Sequence, residues 1–169
     1  MKHSSPPSER SSALSETQSP ELARLLEIYD AFVEGRLECI PEYFDPGGCY
    51  RPSGVFPGMK DRYVGHEEIV EFWHAATEPW ESLKIEVGNT EVRGEDVVTQ
   101  IWLSGRGRES GIEVEGVEAG HLVRFRNLKI VEYLAFPTWD LAVEHLDQLT
   151  EGRAAPSGRA GRPGAARST

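Results

Sequence analysis

The sequence predicts a small α+β domain in which amphipathic helices fold onto one face of an antiparallel sheet and close a cone around an apolar pocket. Two observations carry this. Segments with apolar residues at helical spacing come first, four segments with strand-like patterning follow in a row, and one more helical segment ends the series. The helical segments each carry a single apolar stripe, so they are built to lie on a sheet.

The first helix starts at Ser19-Pro20, with serine as N-cap and proline at the first helical position. Leu22, Leu25, Leu26, Tyr29, Phe32 and Val33 recur on one side, Arg24, Glu27, Asp30 and Glu34 on the other, and Gly35 closes the helix. Residues 37–44 suggest a short second helix with Ile40, Tyr43 and Phe44 inward and Pro41 in its first turn. Asp45-Pro46-Gly47-Gly48 is expected to break it. Residues 49–63 read as a strand fragment and a mobile loop that carries Tyr50, Arg51, Phe56, Met59 and Tyr63, placed to form the mouth or lid of a site.

Gly65-His66-Glu67-Glu68 opens a third helix with acidic residues where the helix dipole favours them. Its buried stripe is Ile69, Phe72, Trp73 and Ala76, and Pro79 ends it. Leu83, Ile85 and Val87 alternate as a strand. In residues 97–104, Val97, Thr99, Ile101 and Leu103 oppose Val98, Gln100 and Trp102, and residues 105–108 suggest an exposed strand end or bulge.

Residues 111–139 read as two long strands folded back on each other. Ala119, His121, Val123 and Phe125 share one face; Gly120, Leu122, Arg124 and Arg126 share the other. The return strand is apolar on both sides, with Ile130, Leu134 and Phe136 against Val131, Tyr133 and Ala135. Its second face is therefore expected to be covered too, most simply by another copy of the chain, giving a homodimer. At the turn, Asn127 tolerates positive φ but Leu128 does so poorly, which argues against a two-residue primed turn; a slip of one residue would exchange the faces. Thr138 caps a last helix with Ala142, Leu146 and Leu149 inward.

The chain of 169 residues suits one folded domain over residues 20–151. Residues 1–19 and 152–169 hold almost no large apolar side chains and are expected to be disordered tails, the second of them basic. The net charge is −10 overall and −14 over residues 20–151, which argues against a nucleic-acid-binding surface. Cys39 and Cys49 have no metal-type spacing and read as buried free thiols in a reducing compartment. No apolar run approaches a membrane span and the N-terminus has no secretory core, so a cytoplasmic location is expected.

The phrases LLEIYDAFVEG in the first helix, YVGHEEIVEFWHA at the third and EAGHLVRFRNLKIVEYLAF in the hairpin resemble the SnoaL-like branch of the nuclear transport factor 2-like superfamily. The resemblance spans most of residues 20–151. It implies a curved antiparallel, cystatin-like sheet wrapped round a long helix, a pocket at the wide end of the cone, and dimerisation through the outer sheet face. Members include polyketide cyclases, ketosteroid isomerases, epoxide hydrolases and dehydratases, so the fold leaves the reaction open. Several members end the last long strand on an acidic residue. Here that place is Phe136-Pro137-Thr138, and no family catalytic acid maps onto this chain.

His121 is the first candidate for chemistry. An imidazole on an apolar strand face suits a general base; the alternative is a core histidine whose ring N–H meets a carbonyl. Glu132 would join it as acid or base if it pointed inward with Leu134 and Phe136, and is otherwise a solvated strand residue. Tyr29, Tyr43, Tyr50, Tyr63, Trp73, Trp102 and Tyr133 are candidates to line a pocket for a flat ligand, or else to fill the core. No histidine lies four residues from His66, and there is no nucleophile elbow, phosphate loop or dinucleotide fingerprint, so neither metal nor cofactor is expected. The resulting expectation is a protein that binds a small, largely apolar organic molecule. Either it performs cofactor-free acid–base chemistry of the cyclase, isomerase or hydratase type, or it is a non-catalytic binding or dimerisation module.

Overall fold

The computed structural model describes residues 18–154 apart from 54, 56 and 57. The expected tails fall largely outside these residues, as does Phe56.

Helix α1 spans Pro20–Val33. Ser19 Oγ accepts from the Leu22 N–H at 3.0 Å, which satisfies one of the orphan donors at the helix start. At the other end Gly35 takes φ +74°. The N–H groups of Gly35 and Arg36 then bond back to the carbonyls of Phe32 and Ala31, the two hydrogen bonds of a Schellman stop. Residues 37–42 form a 3-10 helix, Leu37–Glu42, shorter than the sequence suggests. Helix α2 is His66–Thr77, and its buried stripe is Ile69, Phe72, Trp73 and Ala76, as the spacing predicts.

The sheet has six strands: β1 Phe44–Arg51, β2 Tyr63–Val64, β3 Trp80–Arg93, β4 Asp96–Gly107, β5 Glu113–Arg126 and β6 Lys129–Phe136, in the order β2-β1-β6-β5-β4-β3. The sheet is curved and does not close. From β3 to β6 it is an antiparallel meander of the strands the sequence marks. The strand fragment expected within residues 49–63 is the end of β1, which starts earlier, at Phe44, and pairs with the short β2. Asp45-Pro46-Gly47-Gly48 does not end a helix but sits as an irregularity inside β1, which pairs with β6 in parallel. Gly48 is needed there, because a Cβ would stand 2.7 Å from the Ile130 carbonyl oxygen.

The β5–β6 turn differs from expectation for a related reason. Asn127 and Leu128 both take positive φ, 51° and 61°, and Arg126 faces Lys129 directly. This is the two-residue primed turn, adopted despite the poor fit of leucine to the left-handed region. The faces of the hairpin consequently lie as the alternation predicts. Ala119, Val123 and Phe125 join the main core with Tyr133 and Ala135, while Leu122 and Leu134 lie on the other side. A bulge between Arg124 and Phe125 also turns Ile130 into the main core.

Helices α1 and α2 cover the inner face of the sheet. Helix α3, Trp139–Ala154, covers the outer face instead, so the helices do not all fold onto one side. Ala142 and Leu146 of α3 are fully buried against Val98, Leu122 and Leu134. Gly120 permits the approach: a Cβ there would meet the Thr138 carbonyl oxygen at 2.4 Å. The apolar outer side of β6, which suggests a second copy from sequence, is thus covered by the chain's own last helix. Helix α3 also runs through Gly152 and Arg153, which composition places in the tail. Among the described residues no helix is long and apolar enough to cross a membrane.

Candidate functional site

Between α1, α2 and the inner sheet face lies a cavity of about 310 Å³. Its wall is almost wholly apolar. Ile28, Tyr29 and Phe32 come from α1, Trp73 and Ala76 from α2, Tyr50 from β1, and Leu83, Ile85, Ile101 and Leu103 from β3 and β4. Trp80, Val114 and the half-exposed Val117 mark where it reaches the surface.

His121 lies on this wall with only 7% of its surface exposed. Strand alternation puts it inward on β5, and antiparallel register sets it opposite Thr99 of β4. The Tyr29 and Tyr133 hydroxyls each stand 2.7 Å from its Nδ1. The Tyr29 hydroxyl is also 2.6 Å from Thr99 Oγ1. Four elements therefore meet at one polar cluster: α1 brings Tyr29, β4 Thr99, β5 His121 and β6 Tyr133.

The cluster fixes what the ring can offer. With Nδ1 engaged by phenols, Nε2 is the nitrogen without a partner among the described residues. If Nδ1 accepts a phenolic proton, Nε2 carries the ring proton and donates; if Nδ1 donates, Nε2 presents a lone pair. Burial lowers the His121 pKa to about 3, so the ring is neutral near pH 7. Burial likewise raises the pKa of Tyr29, Tyr50 and Tyr133, which keeps these phenols protonated.

The other sequence candidates divide sharply. Tyr29, Tyr50, Trp73 and Tyr133 line the cavity together with His121. The rings of Tyr50 and Tyr133 are 5.0 Å apart, and Tyr50 is 5.0 Å from Trp73, so they form a continuous aromatic wall. The Trp73 indole N–H is buried without a hydrogen-bond partner in this wall. Tyr43 is elsewhere, half-buried beneath the Arg24 guanidinium, 4.4 Å from its ring centroid. Tyr63 packs on Phe72 at 4.8 Å and accepts from the Lys60 N–H. Trp102 lies on the outer face across Gly88, where a Cβ would fall 2.3 Å from its ring.

Glu132 is also outside. It does share a face with Leu134 and Phe136, but that face is the outer one. Its carboxylate is 3.4 Å from Arg124 Nη1 and 3.8 Å from Arg51 Nε. It therefore cannot reach His121 across the sheet. Glu118 borders the cavity, yet its carboxylate accepts from Gln100 Nε2 and the Trp139 N–H on the outer side. The residues that sequence reasoning leaves out include Thr99, Ile28, Val55, Trp80, Val114 and Val117. Only Thr99 has a signal, as a hydroxyl inside the otherwise apolar set Val97, Ile101 and Leu103.

No group of three or more possible metal ligands occurs among the described residues.

Comparison with known proteins bears on the fold that carries this arrangement. The family model of the SnoaL-like domain matches residues 25–133. No curated protein matches the chain. Among solved structures, a protein of Shewanella putrefaciens CN-32 described as a SnoaL-like polyketide cyclase is similar with a TM-score of 0.64 and 16% identity, over 88% of this chain and 99% of that one. A second, from Jannaschia sp. CCS1 and described in the same words, has a TM-score of 0.61 and 22% identity, over 83% and 98% of the two chains. A protein with a ketosteroid isomerase-like fold from Catenulispora acidiphila DSM 44928, in complex with trimethylamine, has a TM-score of 0.61 and 15% identity, over 72% and 88%. At these identities the likeness is one of fold.

Proposed function

The chain belongs to the SnoaL-like domain family, and on that premise we propose that it binds a small, largely apolar organic molecule in the cavity, with His121 as the polar anchor. The observation that carries this is an apolar cavity whose wall presents one ring nitrogen free for a ligand, held in place by two phenols. Its volume of about 310 Å³ falls at the lower end of ligand pockets. A cavity of about 150 Å³ holds benzene, so a molecule of one or two rings is the size to expect here.

A second reading is cofactor-free acid–base catalysis of the cyclase, isomerase or hydratase type. The free Nε2 and the adjacent phenols favour it, since they could orient a carbonyl and exchange a proton with it. The low basicity of the buried imidazole and the lack, among the described residues, of a carboxylate facing the cavity favour plain binding. His121→Ala distinguishes the two. Under the binding reading it lowers affinity for aromatic ligands by about tenfold, the worth of one hydrogen bond. Under the catalytic reading, turnover of a carbonyl substrate falls by about 10²–10⁴-fold. Unchanged affinity and unchanged turnover would remove His121 from both.

A homodimer through the outer sheet face belongs to the same proposal in reduced form. Trp102, half-buried outside the cluster that α3 covers, is the side chain a second copy would bury. A monomer in sedimentation at tens of micromolar would exclude it. A cytoplasmic location belongs to the same proposal, and the free thiols of the buried Cys49 and the only partly buried Cys39 suit it.

A further inference from the structure

We infer that the cavity selects an uncharged molecule bearing one hydrogen-bonding oxygen and turns away charged molecules of the same shape. The inference rests on the binding reading above and narrows the ligand class.

The wall supplies no charge to pair with. None of the described lining residues is lysine or arginine, and the one carboxylate among them, Glu118, is occupied on the far side of the sheet. An ionised carboxylate or ammonium group moved from water into such a place loses its hydration and gains no counter-ion. Two of the three lining tyrosine hydroxyls are already committed, Tyr29 to His121 and Thr99 and Tyr133 to His121, which leaves that of Tyr50. A carboxylate would then meet only uncharged donors, the imidazole Nε2–H, the Tyr50 hydroxyl and the Trp73 indole N–H, with no cation to offset its lost hydration. The charge of −14 over residues 20–151 adds a long-range term against anions.

An uncharged oxygen has no such difficulty. The neutral imidazole can meet either kind at Nε2, donating to a carbonyl in one tautomer and accepting from a hydroxyl in the other. The phenols around Nδ1 can follow that change by rotating their hydroxyl hydrogens. Donor or acceptor oxygen is thus open, but net charge is not.

Four probes of one shape test this on the full chain at pH 7 by calorimetry: naphthalene, 2-naphthol, 2-naphthoate and 2-naphthylmethylammonium. 2-Naphthol should bind tightest. Naphthalene should bind about tenfold more weakly, having lost one hydrogen bond, and the two charged probes at least about a hundredfold more weakly. If either charged probe binds as well as 2-naphthol, charge selection is overturned while the pocket reading stands. If naphthalene equals 2-naphthol, the oxygen contact is overturned in the same way. If none of the four binds, the pocket reading falls and this inference with it.

Discussion

At His121 the backbone and three neighbouring hydroxyls decide the chemistry together. The imidazole is neutral because it is buried, and this has a consequence for stability. Its pKa is about 3 in the folded chain and near 6.5 when exposed. Between those values the unfolded chain binds the extra proton, so acidification favours unfolding, and the contribution is fully present only above about pH 6.5. Lowering the pH from 7 to 5 should cost about 2 kcal/mol at this one group. Urea unfolding of wild type and His121→Gln at both pH values measures it, and the variant should show a smaller loss by that amount. Thr99→Val is the companion test. It removes the 2.6 Å contact to Tyr29 and should cost about 1–2 kcal/mol with the fold retained. The sequence shows the inward direction of His121 by simple parity with Ala119 and Val123. It does not show Tyr29 as its partner, because that contact spans 92 residues and depends on how α1 lies across the strands.

Among the elements, legibility follows how much of each is encoded locally. Helices α1 and α2 carry cap and stripe in adjacent residues, and both lie where their spacing predicts. Strand β1 does not, since its Pro-Gly-Gly tract looks like a break and only the neighbouring β6 backbone makes it a strand. Helix α3 has a readable stripe, but nothing in it says which side of the sheet it takes. That choice rests on Gly120, which looks like any strand glycine until Thr138 is seen against it. Gly120→Ala should therefore destabilise by about 1–3 kcal/mol through overpacking, read from the melting temperature. The β5–β6 turn gives the opposite sign. Leu128 sits at φ +61°, a region that disfavours a Cβ, and its side chain is 39% exposed. Leu128→Gly should stabilise by up to about 1 kcal/mol, since relief of the left-handed strain outweighs the added chain entropy. A lower melting temperature for this variant would mean that the turn is held by the leucine side chain.

For the molecule as a whole, the open question at the C-terminus is where the cooperative unit stops. Composition puts the boundary at residue 151, because Gly152 and the residues after it offer nothing apolar to bury. The structure carries α3 three residues further and gives them an electrostatic role. Asp96, at the start of β4, is 3% exposed and accepts from Arg124 Nε at 3.2 Å and from Arg153 Nη1 at 2.9 Å. Arg124 in turn reaches Glu132, so Arg153 is the end of a chain of charges that ties α3 to the outer sheet. A buried carboxylate that loses one of two guanidinium partners is poorly compensated. The Arg153 side chain is itself 54% exposed, which screens the pair and keeps the figure modest. A chain of residues 18–151 should thus be less stable than one of residues 18–154 by about 1 kcal/mol, and Arg153→Gln in the longer chain should reproduce most of that loss. Equal denaturant midpoints for the two lengths would place the boundary at 151 after all. A loss on shortening that Arg153→Gln does not reproduce would assign it to the last turn of the helix rather than to the ion pair.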